Sequence, residues 1–345
     1  MHDVIVVGGS AGALEGVIRL VQGLPDTLEA SMHVVLHAGE SGLALVPALL
    51  KGRTPLKIRV AEPGDRIRHG IVYLPQPDHH LMLGRGRLVV NRGPKQNRFR
   101  PAIDPLFTSA AAAYGPRVVG ILLSGFLDDG VHGLSEIRRA GGETIVQDPE
   151  EAPVPTLPLN ALRAFPVDHV APSTRMSGLV EKLSRAAAKQ RRGGRPGPFA
   201  ARETAVLTAA PTAIPKSPPS PFTCPECDGS LWQTHDIPLM YSCHVGHRFT
   251  APSLRAGQKE AGDAHLWRAV RSHEEQAEMH RRWAALEGER KRSHAIDPKA
   301  VDIRRHAEAL ENRALILRRI IMERTPGGKA PRRARASGRS HRVTR

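Results

Sequence analysis

Three side chains able to share an acyl transfer, a serine, a histidine and an aspartate, stand at the ends of apolar runs. Ser10 lies in Gly8-Gly9-Ser10-Ala11-Gly12, a G-x-S-x-G pattern directly after Asp3-Val4-Ile5-Val6-Val7. Small neighbours let a serine occupy a sharp strand-to-helix turn, its hydroxyl beside N–H groups that bind an oxyanion. Two phosphate-binding patterns fail on spacing. G-x-G-x-x-G needs a glycine where Ser10 or Ala11 stands, and the P-loop needs a lysine and a hydroxyl residue where Ala13 and Leu14 stand. A serine nucleophile needs a base, and the base an orienting acid. His37 ends the run of residues 32–37, and Asp129 follows Ile121-Leu122-Leu123-Ser124, with Asp128 beside it as the alternative carboxylate. The chain order Ser–His–Asp differs from the Ser–Asp–His of α/β-hydrolases.

A second set belongs to metal chemistry. Cys224-Pro225-Glu226-Cys227 is followed after 15 residues by Cys243-His244-Val245-Gly246-His247. Three sulfurs and one nitrogen at this spacing form the closed tetrahedral set of structural zinc, in a zinc-ribbon-like unit with no position left for catalysis. His244 is an alternative to His247, but C-x3-H suits the second knuckle better.

The elements that must position these groups follow from periodicity. Residues 3–7 and 33–37 are continuous apolar runs, as strands buried on both faces require. Between them Leu14, Val17, Ile18 and Val21 give residues 13–22 helical spacing. Residues 71–73 read as a strand, and 81–83 with 87–91 as a hairpin around Gly84-Arg85-Gly86. Helices are expected at 103–114, 134–140, 157–164 and 174–189, and strands at 117–124 and 143–147. This alternation predicts an α/β fold, a doubly wound, mostly parallel sheet carrying one antiparallel hairpin. In such sheets functional groups gather at the carboxyl ends of strands, which brings Ser10, His37 and Asp129 to one edge. His79 and His80 are expected at the surface or in a turn, and Asp104 either caps the helix at 103 or reaches the site.

The 345 residues divide accordingly. Residues 1–184 hold the α/β pattern, and 185–221 form a basic linker rich in Pro and Gly. The zinc-ribbon-like module spans 222–256 and a helical pair 257–324. A basic tail, expected to be disordered, spans 325–345. Within the pair, Ile303, Ala307, Leu310, Ala314, Leu317 and Ile321 make a heptad-like stripe, read as a helical hairpin or as a dimerising coiled coil. The net charge of +16 sits mainly in the linker and tail, leaving the folded part nearly balanced, which argues against nucleic acid as the main partner. No apolar run reaches the about 20 residues of a membrane span, and no signal peptide is legible. Three cysteines fit a reduced compartment better than a disulfide framework, so the expected location is the cytoplasm.

Through residue 184 the chain resembles the catalytic domain of the chemotaxis protein-glutamate methylesterases (CheB). The resemblance rests on Val6-Val7-Gly8-Gly9-Ser10-Ala11-Gly12, Val34-Val35-Leu36-His37, Ala61-Glu62-Pro63-Gly64 and Gly70-Ile71-Val72-Tyr73-Leu74-Pro75. It continues through Arg100-Pro101-Ala102-Ile103-Asp104-Pro105-Leu106-Phe107, Leu122-Leu123-Ser124-Gly125 with Asp129-Gly130, Gln147-Asp148-Pro149 and Val167-Asp168-His169-Val170.

The resemblance implies Ser10 as nucleophile, His37 as general base and Asp129 as orienting carboxylate. The implied reaction is hydrolysis of glutamyl methyl esters on a chemoreceptor-like protein, with glutamine deamidation as a second activity and no catalytic cofactor. Arg98 and Arg100 are candidates to attract the acidic methylated region of that substrate, or else form a solvated basic loop. The family carries Met-Gly where Phe126-Leu127 stand, and threonine where Ala11 stands. No N-terminal receiver domain is expected, since the catalytic strand begins at residue 3, and so no phosphorylation control through this chain. The alternative is a weakly active or inactive CheB-like scaffold whose C-terminal module binds a regulatory protein or nucleic acid.

Overall fold

The structure, a computed structural model, describes residues 2–186, 218–236, 239–290 and 298–324. Most of the expected linker and all of the expected tail lie outside these residues. The described residues fall into two compact units, divided between Gln258 and Lys259.

The first unit is built on a seven-stranded sheet in which every pairing is parallel. Its strands are β1 (Val4–Gly9), β2 (Ser31–Leu36), β3 (Lys57–Val60), β4 (Ile71–Leu74), β7 (Val118–Leu122), β8 (Glu143–Gln147) and β9 (His169–Ala171), in the order β3-β4-β2-β1-β7-β8-β9. The apolar runs of β1 and β2 are buried throughout, because helices cover both faces. On one face α1 (Ala13–Gln22), α2 (Glu40–Leu50) and α6 (Ser173–Arg185) pack Val17, Val21, Val46, Leu50, Met176 and Val180 against Ile5 and Val7. On the other, α3 (Ile103–Tyr114), α4 (Val131–Arg139) and α5 (Thr156–Ala164) cover Val4 and Val6. The hairpin β5 (His80–Leu83) and β6 (Leu88–Asn91) completes that face. Strand order reverses about β1, which leaves a crevice beyond its carboxyl end, at Ser10.

A three-stranded antiparallel sheet, β10 (Leu231–Asp236), β11 (Leu239–Cys243) and β12 (Arg248–Thr250), forms the ribbon. It belongs to the first unit. Helix α7 (Ala251–Arg290) leaves it directly, six residues before the helical pair expected from residue 257. Pro252 falls in its first turn, where proline is tolerated because its missing N–H has no partner to lose.

In the second unit α7 packs antiparallel on α8 (Pro298–Arg324) as a hairpin within one chain. Val270 meets Ala314 and Ile321, and Ala277 meets Ala307 and Leu310. Arg318 bridges to Glu274 at 2.6 Å. No helix among the described residues is long and apolar enough to cross a membrane.

Candidate active site and metal centre

Ser10 and His37 are the next residues along two paired strands, since β1 and β2 align Gly9 with Leu36. The turn at Ser10 is pinned from three sides. Its N–H donates to the Ser124 carbonyl at 2.9 Å, the His37 N–H donates to the Gly9 carbonyl at 3.0 Å, and the Ser124 hydroxyl donates to the Ala11 carbonyl at 2.8 Å. Gly12 turns the chain into α1 with φ of 78°, and a Cβ there would lie 2.8 Å from the Pro153 side chain. Gly125 likewise has no room for a side chain, because its Cβ would come within 2.7 Å of the Ser10 Cβ.

The His37 Nε2 and Asp129 Oδ2 are 2.8 Å apart, with both side chains less than 5% exposed, at 4% and 3%. A carboxylate only accepts, so Nε2 carries the proton and Nδ1 presents a lone pair. That Nδ1 is buried and has no hydrogen-bond partner among the described residues, the Ser10 hydroxyl included. Such contacts commonly tighten only when substrate is bound.

Asp129 accepts three further bonds: from Asn97 Nδ2 at 2.9 Å and from the N–H groups of Ile103 and Asp104 at 2.7 and 3.2 Å. The last two are the free N–H groups opening α3, which favour an anion. Burial alone would raise this carboxyl. The His37 hydrogen bond and charge, with the bonds from Asn97 and Ile103, outweigh it and hold Asp129 below the usual carboxylate range. Asp128 goes the other way. Burial pushes it up to about 6, against the hydrogen bond from Thr250 and helped by the charge of Asp129. The two adjacent carboxyls are thereby separated in role, and it is Asp129 that meets the histidine.

Asp104 is buried, accepts from Asn97 at 2.8 Å, and takes the N–H groups of Gly130 and Gly133 at the start of α4, so it ties the site to a second helix. His80 is not at the surface. It is fully buried, donates from Nε2 to the Pro94 carbonyl at 3.0 Å and accepts the Ala102 N–H, and burial lowers it to about 4. Its neighbours in β5 read as a hairpin edge, but the hairpin lies on the sheet and covers it. Arg100 pairs with Asp78 at 2.8 Å and donates to the Gly93 carbonyl, while the Arg98 stem lies near Gly257. Leu127, in the place of the family's glycine, holds φ of 60°, so the chain keeps the left-handed turn a glycine would make.

Several groups carry no sequence signal of their own. Phe99 lies flat on the His37 ring, Asn97 bridges Asp129 and Asp104, and Thr250 of the ribbon donates to Asp128 at 2.8 Å.

In the ribbon, Cys224, Cys227, Cys243 and His247 bring one ligand atom each within 4.8 Å of all the others. The Cys227–Cys243 sulfurs are 3.7 Å apart, and His247 Nδ1 lies 3.7 and 3.5 Å from Cys224 and Cys243. A tetrahedral zinc with Zn–S near 2.3 Å places its sulfurs roughly 3.8 Å apart, so the set fits the ion. The hydrogen bond from Cys224, with help from His247, lowers the Cys243 thiol against burial, and the same bond with burial raises the Cys224 thiol. His244 stands outside the cluster, against Gly229.

Residues 5–180 match the family described as CheB methylesterase. A protein-glutamate methylesterase/protein-glutamine glutaminase 2 of Anaeromyxobacter dehalogenans is 35% identical over 183 residues, 53% of this chain and 54% of that protein. The chain thus spans about half of that relative. A putative protein-glutamate methylesterase/protein-glutamine glutaminase of Leptospira interrogans is 30% identical over 191 residues, covering 55% of this chain and 99% of that one. Among solved structures, the Thermotoga maritima CheB methylesterase catalytic domain matches with a TM-score of 0.50 at 26% identity, over 53% of this chain and 99% of its own. With the parallel sheet, the paired strand ends and the match over residues 5–180, the chain belongs to the CheB methylesterase family.

Proposed function

We propose that this protein is a serine esterase that hydrolyses glutamyl methyl esters on a chemoreceptor-like protein, and deamidates glutamine there, through Ser10, His37 and Asp129. The observation that carries this reading is the buried His37–Asp129 bond, which leaves Nδ1 without a hydrogen-bond partner among the described residues, on a strand end paired with the one that bears Ser10. Ser10 Oγ attacks the ester carbonyl as its proton passes to His37 Nδ1. The oxyanion is met by N–H groups of the turn after Ser10 and near Phe126. Collapse of the intermediate expels methanol, which takes the proton from His37, and water then hydrolyses the acyl-enzyme by the same route. With glutamine, ammonia leaves instead.

Asp129 fixes the tautomer and stabilises the imidazolium. Arg98 and Arg100, on the loop beside the histidine, supply positive charge toward an acidic substrate segment. Cys224, Cys227, Cys243 and His247 hold a structural zinc, which takes no part in the chemistry. The C-terminal module is also the surface offered to a regulatory protein, and the reaction is assigned to the cytoplasm, where such receptor segments lie. Methanol and ammonia release from a methylated receptor fragment tests the reading. Ser10→Ala is expected to lower both by at least about 10³-fold with the fold intact. Equal rates in wild type and variant would refute it.

A further inference from the structure

The family match ends at residue 180, but the contacts of the catalytic loop do not. Residues 94–100 form a strap that lies between the triad and the ribbon. On its inner side Asn97 holds Asp129 and Phe99 covers His37. On its outer side both metal knuckles grip it. From the second knuckle the Arg248 carbonyl accepts the Asn97 N–H at 2.8 Å, and the Gly246 carbonyl accepts Gln96 Nε2 at 3.0 Å. These two residues flank His247. From the first, Glu226, between Cys224 and Cys227, pairs with Lys95 at 2.9 Å.

Thr250 makes the closest link. Its N–H donates to Asn97 Oδ1 at 3.0 Å and its hydroxyl to Asp128 Oδ1 at 2.8 Å, while the same oxygen accepts the Ser253 N–H at 3.3 Å and caps α7. One residue therefore touches the neighbour of the catalytic aspartate and the amide that holds that aspartate.

We propose that the Cys3His centre is a positioning device for the esterase site, with Thr250 as its positioning residue. The proposal rests on the esterase reading above and extends it to the ribbon. The buried apolar core of the ribbon consists of Cys224, Leu231, Tyr241, Cys243, Phe249 and Leu254, two of them ligands. So small a core does not hold a fold alone, and the free energy of metal binding becomes free energy of folding. Loading the knuckles sets the turn of residues 246–250. That turn sets Asn97 and Asp128, and Asn97 sets the carboxylate that orients His37. Emptying them frees the strap on one side and lets the histidine drift from its productive pose. A displacement near 1 Å at such a site costs about 10²-fold in rate.

The test uses the full chain loaded with zinc and compares wild type, Thr250→Val and Thr250→Ser. Zinc content and circular dichroism report integrity, and methanol release gives kcat and KM. The downfield proton resonance of His37 Nε2–H reports the bond to Asp129 independently of turnover. Thr250→Val is expected to keep its zinc, to lose about tenfold or more in kcat with little change in KM, and to weaken the resonance. Thr250→Ser, which keeps the hydroxyl, restores both. Chelation of wild type gives the same pair of losses, reversed by added zinc, and carries the test if Thr250→Val does not fold. A kcat and resonance that ignore both zinc removal and Thr250→Val overturn the proposal. In Ser10→Ala the resonance and its zinc dependence are expected to persist. Failure of wild type to release methanol would therefore count against the esterase reading, and the resonance would still decide the clamp.

Discussion

Phe99 lies on the imidazole of His37 with ring centroids 3.6 Å apart and planes within 10°. The stack fixes the plane of the ring, and the Asp129 bond at Nε2 fixes its rotation within that plane. Together they aim Nδ1 in one direction, so the proposed base is oriented by an apolar face as well as by a charge. Removing the face while leaving the charge separates the two contributions. Phe99→Ala is expected to lower kcat for methanol release by about tenfold, with Phe99→Tyr close to wild type. An alanine variant with unchanged kcat would show that Asp129 orients the ring unaided.

Leu127 takes a left-handed backbone at φ of 60°, and its carbonyl accepts a bond from Asn160 at 2.8 Å. An L-residue there carries about 1–2 kcal/mol of strain, which glycine does not. Leu127→Gly relieves that strain but loses a half-buried side chain and gains unfolded-state entropy, so its stability is expected within about 1 kcal/mol of wild type. Leu127→Val adds a β-branch to the same backbone and is expected to be destabilised by more than about 1 kcal/mol. Denaturant titration of the two variants side by side checks the order.

Asp128 sets a pH dependence of definite sign. Its carboxyl rises from an ordinary 3.8 to about 6 in the folded protein, chiefly through burial. Between these values the folded state binds the extra proton, so stability falls as pH rises from 4 to 6, by roughly 3 kcal/mol at most. Asp129, held below its ordinary value, acts in the opposite sense, its contribution lost as pH falls below the usual carboxylate range. Asp128→Asn keeps an acceptor for Thr250 and removes the ionisation. It is expected to flatten the curve between pH 4 and 6 and to be the more stable protein at pH 8, as thermal melts in matched buffers would register.

The metal set makes a stoichiometric prediction. Purified protein is expected to carry one zinc ion per chain, with its three cysteines resistant to a thiol reagent until a chelator is added. Cys224→Ser is expected to carry almost none. Equal zinc in wild type and variant, by metal analysis, would contradict the ligand assignment.

Elements with a strong period were legible in the sequence, and those whose partners lie far along the chain were not. Periodicity marks residues 13–22, 103–114 and 143–147 at their observed bounds, because a buried stripe or run repeats through each. Helix α2 left no such trace. It is apolar nearly all round and contains Pro47, yet it buries Leu43, Val46 and Leu50 at helical spacing. Strands β3 and β9 were missed because the first is a mostly exposed edge and the second only three residues long. At the candidate site, the meeting of His37 with Asp129 and the pairing of the strand ends that bear Ser10 and His37 follow from strand ends. Asn97, Phe99 and Thr250 do not, since each matters through a contact that only the folded strap creates, 153 residues apart in the case of Asn97 and Thr250.

One of the two outermost strands of the large sheet, β3, turns the charged side chains of Lys57 and Arg59 to water. An open strand margin is otherwise a template on which a stranger's backbone can zip. Here any such growth would have to strip solvent from two cations for a strip of only four residues, so this margin discourages aggregation.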